Sequence, residues 1–289
     1  MDYIFRGVQL GFIYSLLAIG IVLVYRATRV INFAHADFAT FGTFIFLSAL
    51  NKLGSGFSIL CAILGFFASG LIAFIVSYFV FYEAQRRGVS PLGITIGTIA
   101  ISFFIQSFEI IVWGPEPKSV PSFFQGTIDV FGFSISKTFI LVLIVSLLTL
   151  SVFYLVITKT RFGISIRAVS QNPDMSRILG VRFRFVVSSI WGLSAAIAGI
   201  SGILLAPLYS VDQVFLFDPF LKAFIGAIVG GIDSVPGAVV GSIIVGLAES
   251  LFGGYVSIKY KTAFIFLIGV VSLALRPEGI FGREIKERV

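Results

Sequence analysis

The sequence predicts an all-α polytopic membrane protein of about eight or nine transmembrane helices, with short or broken helices in its C-terminal half. Three observations predict it. Of 289 residues, 57% are hydrophobic and only 12% charged, and mean hydropathy is +1.05; a soluble domain uses about 25% charged residues to coat its surface, so much of this apolar surface must face lipid. Apolar runs close to the ~20 residues that cross a hydrocarbon core recur along the chain. Lys and Arg are unevenly shared between alternate loops.

The runs lie at about 7–25, 36–50, 57–82, 92–112, 138–157, 185–208, 221–231, 236–252 and 262–276. The first is too long for a signal peptide and lacks a cleavage pattern, so it should remain as a helix. Arg26 and Arg29 separate it from the second, and Arg86 and Arg87 follow the third. The fourth ends near Trp113, the fifth begins after Lys137, and a long basic segment separates the fifth from the sixth. The run at 221–231 is too short to cross as one ideal helix. Gly226, Gly230, Gly231, Pro236 and Gly237 suggest a broken element there, tolerated only under cover of protein or a water-filled cavity.

Orientation follows from the basic residues. With the N-terminus outside, about two thirds of the 21 Lys and Arg fall in inside segments. The outside segments hold Arg6, Lys52, Lys118, Lys137, Lys222, Lys259 and Lys261. The net charge of +7 is therefore explained by membrane orientation and not by nucleic acid. Sliding one half of the chain along the other without gaps pairs Ile19 with Ile203, Tyr25 with Tyr209, Val30 with Val214, Phe33 with Phe217, Ala39 with Ala223 and Gly42 with Gly226. The whole of 1–289 then reads as one transmembrane domain, with inverted repeat halves at about 7–112 and 185–276.

The chain holds one cysteine, Cys61, and one histidine, His35, which leaves neither a disulfide framework nor a metal-ligand spacing. It has no HExxH or GxSxG motif and no Gly-x-x-x-x-Gly-Lys-Ser/Thr phosphate loop; Lys137-Thr138 follows Ser136 and cannot cradle phosphate. No catalytic residue and no cofactor is expected. A channel lacks its filter motif or charged ring. An ion-coupled secondary transporter usually carries an intramembrane ionic network, whereas the carboxylates here are scattered and no central basic partner is evident.

The segment 158–184 is the most informative polar stretch. Asn172 can cap a helix, Pro173 suits its first position, Asp174 complements its positive end, and Gly180 can stop it in a left-handed conformation. The bracketed helix of roughly two turns is too short to stand alone and needs a surface to pack on, for which Ile178 and Leu179 offer apolar contact. A solvated positive-inside loop is the plainer reading; a helix that docks on a cytosolic motor is the sharper one.

Here the residues reach a resemblance. Arg161-Phe-Gly163, Arg167-Ala168, Asn172 and Gly180 resemble the cytoplasmic loop of branched-chain amino acid ABC transporter permeases of the LivH type. Val30–Asp37 (VINFAHAD) resembles that family's N-terminal signature, Gly230–Gly241 (GGIDSVPGAVVG) its Gly-rich C-terminal signature, and Arg276–Gly282 (RPEGIFG) its closing motif. Ala36 stands where the family usually has Gly, and Met175 where it has a small helix former. The resemblance implies one permease subunit of an importer in the bacterial inner membrane, working by alternating access. Its partners would be a second homologous permease subunit, two cytosolic ATP-binding subunits and a periplasmic or lipid-anchored solute-binding protein. The expected solute is a branched-chain amino acid, with other amino acids, urea or short amides as alternatives.

Candidate path residues follow from polarity at membrane depth. Asn32, His35 and Asp37 lie near the inside end of the first hairpin, where the bland reading puts them at the water interface, capping the second helix. Gln106 and Glu109 share a helix face, and Glu109 is expected near the outer interface. Glu249 is deeper in the C-terminal bundle, with no basic partner identifiable from sequence. Gly226, Gly230 and Gly231 either permit close helix packing or expose backbone groups beside the path, and Asp233 should cap the helix that follows or contact a motor. Outside, Glu116, Asp129, Asp212 and Asp218 could meet basic residues of a binding protein.

Overall fold

The computed structural model describes residues 2–124, 126–130 and 133–282. Its helices, in order, are α1 (Asp2–Thr28), α2 (His35–Leu53), α3 (Ser58–Val76), α4 (Tyr82–Arg86), α5 (Pro91–Trp113), α6 (Lys137–Lys159), α7 (Arg161–Gln171), α8 (Pro173–Ile178), α9 (Phe183–Leu205), α10 (Phe217–Gly230), α11 (Val235–Tyr255) and α12 (Lys261–Leu275). A π-turn at Ser77–Phe81 joins α3 to α4. Six spans among the described residues are long and apolar enough to cross a membrane: Asp2–Thr28, Ser55–Arg86, Pro91–Trp113, Lys137–Lys159, Phe183–Leu205 and Val235–Tyr255. The chain is thus an all-α polytopic membrane protein, and every run read from the sequence holds a helix. A small addition is the antiparallel ribbon of β1 (Thr127–Val130) and β2 (Phe133–Ser136), with Thr127 opposite Ser136 and Asp129 opposite Ser134.

The helix starts are written locally. Ser90, Thr160, Asn172 and Ser234 each accept a hydrogen bond from the backbone N–H three residues on, and Pro follows in the first turn of α5, α8 and α11. Each cap satisfies one of the four donors a helix start leaves open. The cap of α11 is Ser234, not Asp233 as expected: the serine hydroxyl takes the Gly237 N–H at 3.1 Å.

The described residues fall into two compact units. One comprises 23–123 and 147–218. Its centre is α3 wedged against α2 and α9 through small residues. A Cβ on Gly42 would fall on Ser69 and the Gly65 carbonyl, and one on Gly199 would fall on the Ser69 hydroxyl. In lipid, where no hydrophobic drive separates helix from tail, such close approach is what holds helices together. Phe44, Phe46, Leu47, Leu50, Cys61, Ile203 and Val211 form an apolar cluster in this unit.

The other unit comprises 1–22, 124–146 and 219–289. Here α11 packs against α1, where a Cβ on Gly7 would sit 2.8 Å from Leu247 Cα, and against α10, where one on Gly226 would sit 2.7 Å from Ser242 Cα. α10 runs unbroken to Gly230, with Gly226 and Gly230 serving contact with α11, and the chain leaves helix at 231–234, within the region 226–237 where a break was expected. α10 has 14 residues, about 21 Å, shorter than a ~30 Å core.

Candidate functional site

In the unit built on α2, α3 and α9, the chain leaves its helical path at residues 29–34, inside the protein. Arg29 takes φ 57°, and Val30, Asn32 and Ala34 are buried. Free N–H groups at such a place cost several kcal/mol each unless they are satisfied. They are. Val30 N–H donates to Thr28 Oγ1 (3.3 Å), Ile31 N–H to Thr95 Oγ1 (3.3 Å), Phe33 N–H to Thr98 Oγ1 (3.0 Å) and Ala34 N–H to Asn32 Oδ1 (3.1 Å). Thr95 and Thr98 lie one turn apart on α5, so the break and α5 form one hydrogen-bonded piece. Thr98→Val should destabilise the protein by about 1–3 kcal/mol, because the part-buried Phe33 N–H loses its acceptor. Thr98→Ser should stay close to wild type, and the thermal midpoints of the purified variants compare them.

Beyond the break, α2 runs beside α5. Gln106 Nε2 donates to Asp37 Oδ1 at 2.7 Å, and Trp113 Nε1 donates to Ser48 Oγ at 2.6 Å. His35 meets Ser194 of α9, Nδ1 to Oγ, at 3.3 Å. The interface reading of His35 and Asp37 is therefore corrected: they are 0% and 4% exposed, and α2 begins after Ala34 with no side-chain cap. Asn32 instead ties the loop to itself. Glu109 is also corrected from interfacial to buried, at 0% exposure, and neither carboxylate oxygen has a hydrogen-bond partner among the described residues. Asp37, Gln106 and Glu109 thus lie on the α2–α5 side, whereas His35 meets α9 and Asn32 stays within the loop before α2.

Glu249, the other intramembrane carboxylate, sits in the second unit with partners the sequence did not reveal. Its Oε1 accepts from Lys222 Nζ at 2.7 Å and lies 2.9 Å from Lys261 Nζ, and its Oε2 accepts from Tyr14 at 2.6 Å. Glu249 and Lys222 are each 1% exposed. Two expectations fall here. Lys222 is not in an outside segment, and the bundle does hold a central basic partner. The available signal was a lysine inside an apolar run, FDPFLKAFIGAIVG, which is itself a mark of intramembrane pairing. Four helices, α1, α10, α11 and α12, meet at this one carboxylate.

The Gly-rich signature and the closing motif come together. A Cβ on Gly230 would land on the Gly237 carbonyl, so α10 and α11 touch backbone to backbone. Gly231 (φ 110°) and Gly279 (φ 76°) turn the chain where L side chains rarely go, and a Cβ on Gly231 would sit 2.7 Å from Gly282 N. Ile280 N–H then donates to Val229 O and Phe281 N–H to Gly230 O, both at 2.9 Å. The closing motif is a cap: it satisfies carbonyls that the end of α10 leaves open. Arg283 and the residues after it lie outside the described residues.

The segment 158–184 holds a helix pair, where a loop and one helix were expected. Thr160 caps α7, accepting from Gly163 N–H at 3.0 Å. Gly163 has no room for a side chain, since a Cβ would fall on the Ile157 and Val156 carbonyls. Arg161 is exposed, Arg167 half-buried, and Ile166 and Val169 are buried. Asn172 caps α8 as anticipated, taking the Met175 N–H at 3.0 Å, and Pro173 fills its first turn. The Asp174 side chain lies outside the described residues. The helix is shorter than the two turns expected, at six residues; Gly180 ends the turn with φ 79°. Ile178 and Leu179 are 77% and 78% exposed, apolar side chains with nothing on them.

Residues 3–273 match the family described as branched-chain amino acid transport system / permease component. The high-affinity branched-chain amino acid transport system permease protein LivH of Escherichia coli is 32% identical over 100% of this chain and 97% of its own length. The permease protein BraD of Pseudomonas aeruginosa is 30% identical over 100% and 98% of the two chains, and a probable LivH of Methanocaldococcus jannaschii is 29% identical over 94% and 89%. No solved structure matches the chain. With its signatures at the break, the α10–α11 turn, the closing cap and the α7–α8 pair, the chain belongs to the family of branched-chain amino acid transport permeases.

Proposed function

We propose that this permease imports branched-chain amino acids by alternating access, driven by ATP hydrolysis in two cytosolic subunits that dock on α8. A second homologous permease chain would complete the path, and a periplasmic or lipid-anchored binding protein would deliver the solute. The observation that carries the substrate is the match at full length to relatives named for that transport. The docking role of α8 is supported by its caps and by Ile178 and Leu179, apolar and exposed at its end. Asn32, His35, Asp37, Gln106 and Glu109 in one unit, with Glu249, Gly226, Gly230 and Gly231 in the other, are the path candidates.

The setting is a bacterial inner membrane with the N-terminus outside and the C-terminus in the cytosol. Removing Lys222 from the outside tally strengthens that orientation. The inverted repeat is supported by packing: α9 leans on α3 as α1 leans on α11, the exchange expected if α1 and α9 are equivalent.

Proteoliposomes holding the permease pair, the ATPases and the binding protein should accumulate labelled leucine only with ATP inside. Uptake that follows an ion gradient and ignores ATP would sink the reading. That control is needed because the Lys222–Glu249 pair removes one argument against ion coupling. In the same vesicles, Gly180→Val forces a β-branched residue into a left-handed turn costing about 1–2 kcal/mol. It should lower uptake per ATP hydrolysed while the subunit still inserts; unchanged transport would count against the coupling role.

A further inference from the structure

We infer that Arg184 is the positioning residue that carries movement of the α7–α8 element into α3, through the π-turn at Ser77–Phe81. A π-turn inserts an extra residue and disturbs the helix ladder locally, and such turns gather at functional places. Within this one, the Tyr78 carbonyl accepts two N–H groups of the same guanidinium, Arg184 Nε at 3.1 Å and Nη2 at 2.8 Å. The guanidinium carbon lies 3.7 Å from the centroid of the Tyr78 ring and 5.3 Å from that of Tyr82. A lysine could supply the charge but not the planar fork that meets one carbonyl while stacking on a ring.

Arg184 is also bound to α8 by a short, hydrogen-bonded connection. Gly180 N–H donates to Arg177 O (3.1 Å), Val181 N–H to Ser176 O (3.0 Å) and Phe183 N–H to Val181 O (2.7 Å). The Arg177 guanidinium stacks over the Phe183 ring at 4.1 Å. Between α8 and Arg184 there is no slack segment to absorb a displacement. On the far side, α3 is the helix that packs into α2 and α9 by backbone-close contacts. A push on α8 therefore arrives at the first turn of α9, where the Arg184 fork on the Tyr78 carbonyl ties it to the π-turn at the end of α3 in addition to the direct packing of α9 on α3.

This rests on the docking of α8 proposed above, and the test separates the two. Wild type, R184K and R184Q are assembled with the ATPases and binding protein in vesicles, and hydrolysis and uptake are read in the same sample. R184Q should keep its stimulated hydrolysis while ATP consumed per solute rises about tenfold, the scale of an ordinary coupling energy. R184K, retaining charge without the fork, should fall between, and its ratio, raised above wild type, serves as the readout if R184Q inserts poorly. Uptake and hydrolysis that fall in proportion, or a ratio that does not move, overturn the role of Arg184 and leave the docking of α8 standing. Wild-type uptake indifferent to ATP overturns both.

Discussion

Glu249→Leu is expected to cost this permease about 3–5 kcal/mol of stability, the usual result of removing one partner from a buried charged pair. The reason lies in how fully that carboxylate is used. One oxygen is shared by Lys222 and Lys261 and the other holds the Tyr14 hydroxyl, so the variant leaves two ammonium groups facing each other across an apolar side chain. Lys261 is partly exposed and can turn to water; Lys222, at 1% exposure, cannot. The double variant Lys222→Met/Glu249→Leu should accordingly recover most of the loss, because a matched apolar pair avoids stranded charge. Thermal unfolding of the detergent-purified proteins measures this. Costs that simply add would mean that the two residues act independently, against the geometry.

Gly230→Val should be nearly as damaging, at about 3 kcal/mol or more, the upper part of the range for overpacking. Its first added carbon falls on the Gly237 backbone, which cannot rotate aside as a side chain would. The same position supplies the carbonyl that receives Phe281 N–H, so pushing α10 from α11 also loosens the closing cap. Gly56→Ala is the control, because nothing lies within 4 Å of a Cβ there; it should stay within about 0.5 kcal/mol of wild type. Equal midpoints for the two variants would contradict the backbone contact described for α10 and α11.

What the sequence disclosed was the part of the structure written in neighbouring residues. Asn172, Pro173 and Gly180 bracket α8 within a few positions, and the apolar runs locate helices by composition alone. The segment 29–34 was legible as the gap between the first two apolar runs, but its burial was hidden, because two of its donors are met by Thr95 and Thr98, far along the chain. Lys222 and Glu249 were hidden likewise. Each read as a separate charge, and only the meeting of α10 with α11 makes them one group. Gly231 does mark a break, whereas Gly226 and Gly230 let a second helix approach, and the two kinds of glycine look alike in sequence.

The closing cap has a consequence for how the chain is made. Domains generally fold in the order of synthesis, yet α10 obtains partners for Val229 and Gly230 only from Ile280 and Phe281, after α11 and α12 have been translated. Until then its final carbonyls must be held by water or by the insertion machinery. This half of the protein therefore stays unfinished until its last helix is in the membrane, and translation that stops short of the motif leaves α10 open at its end.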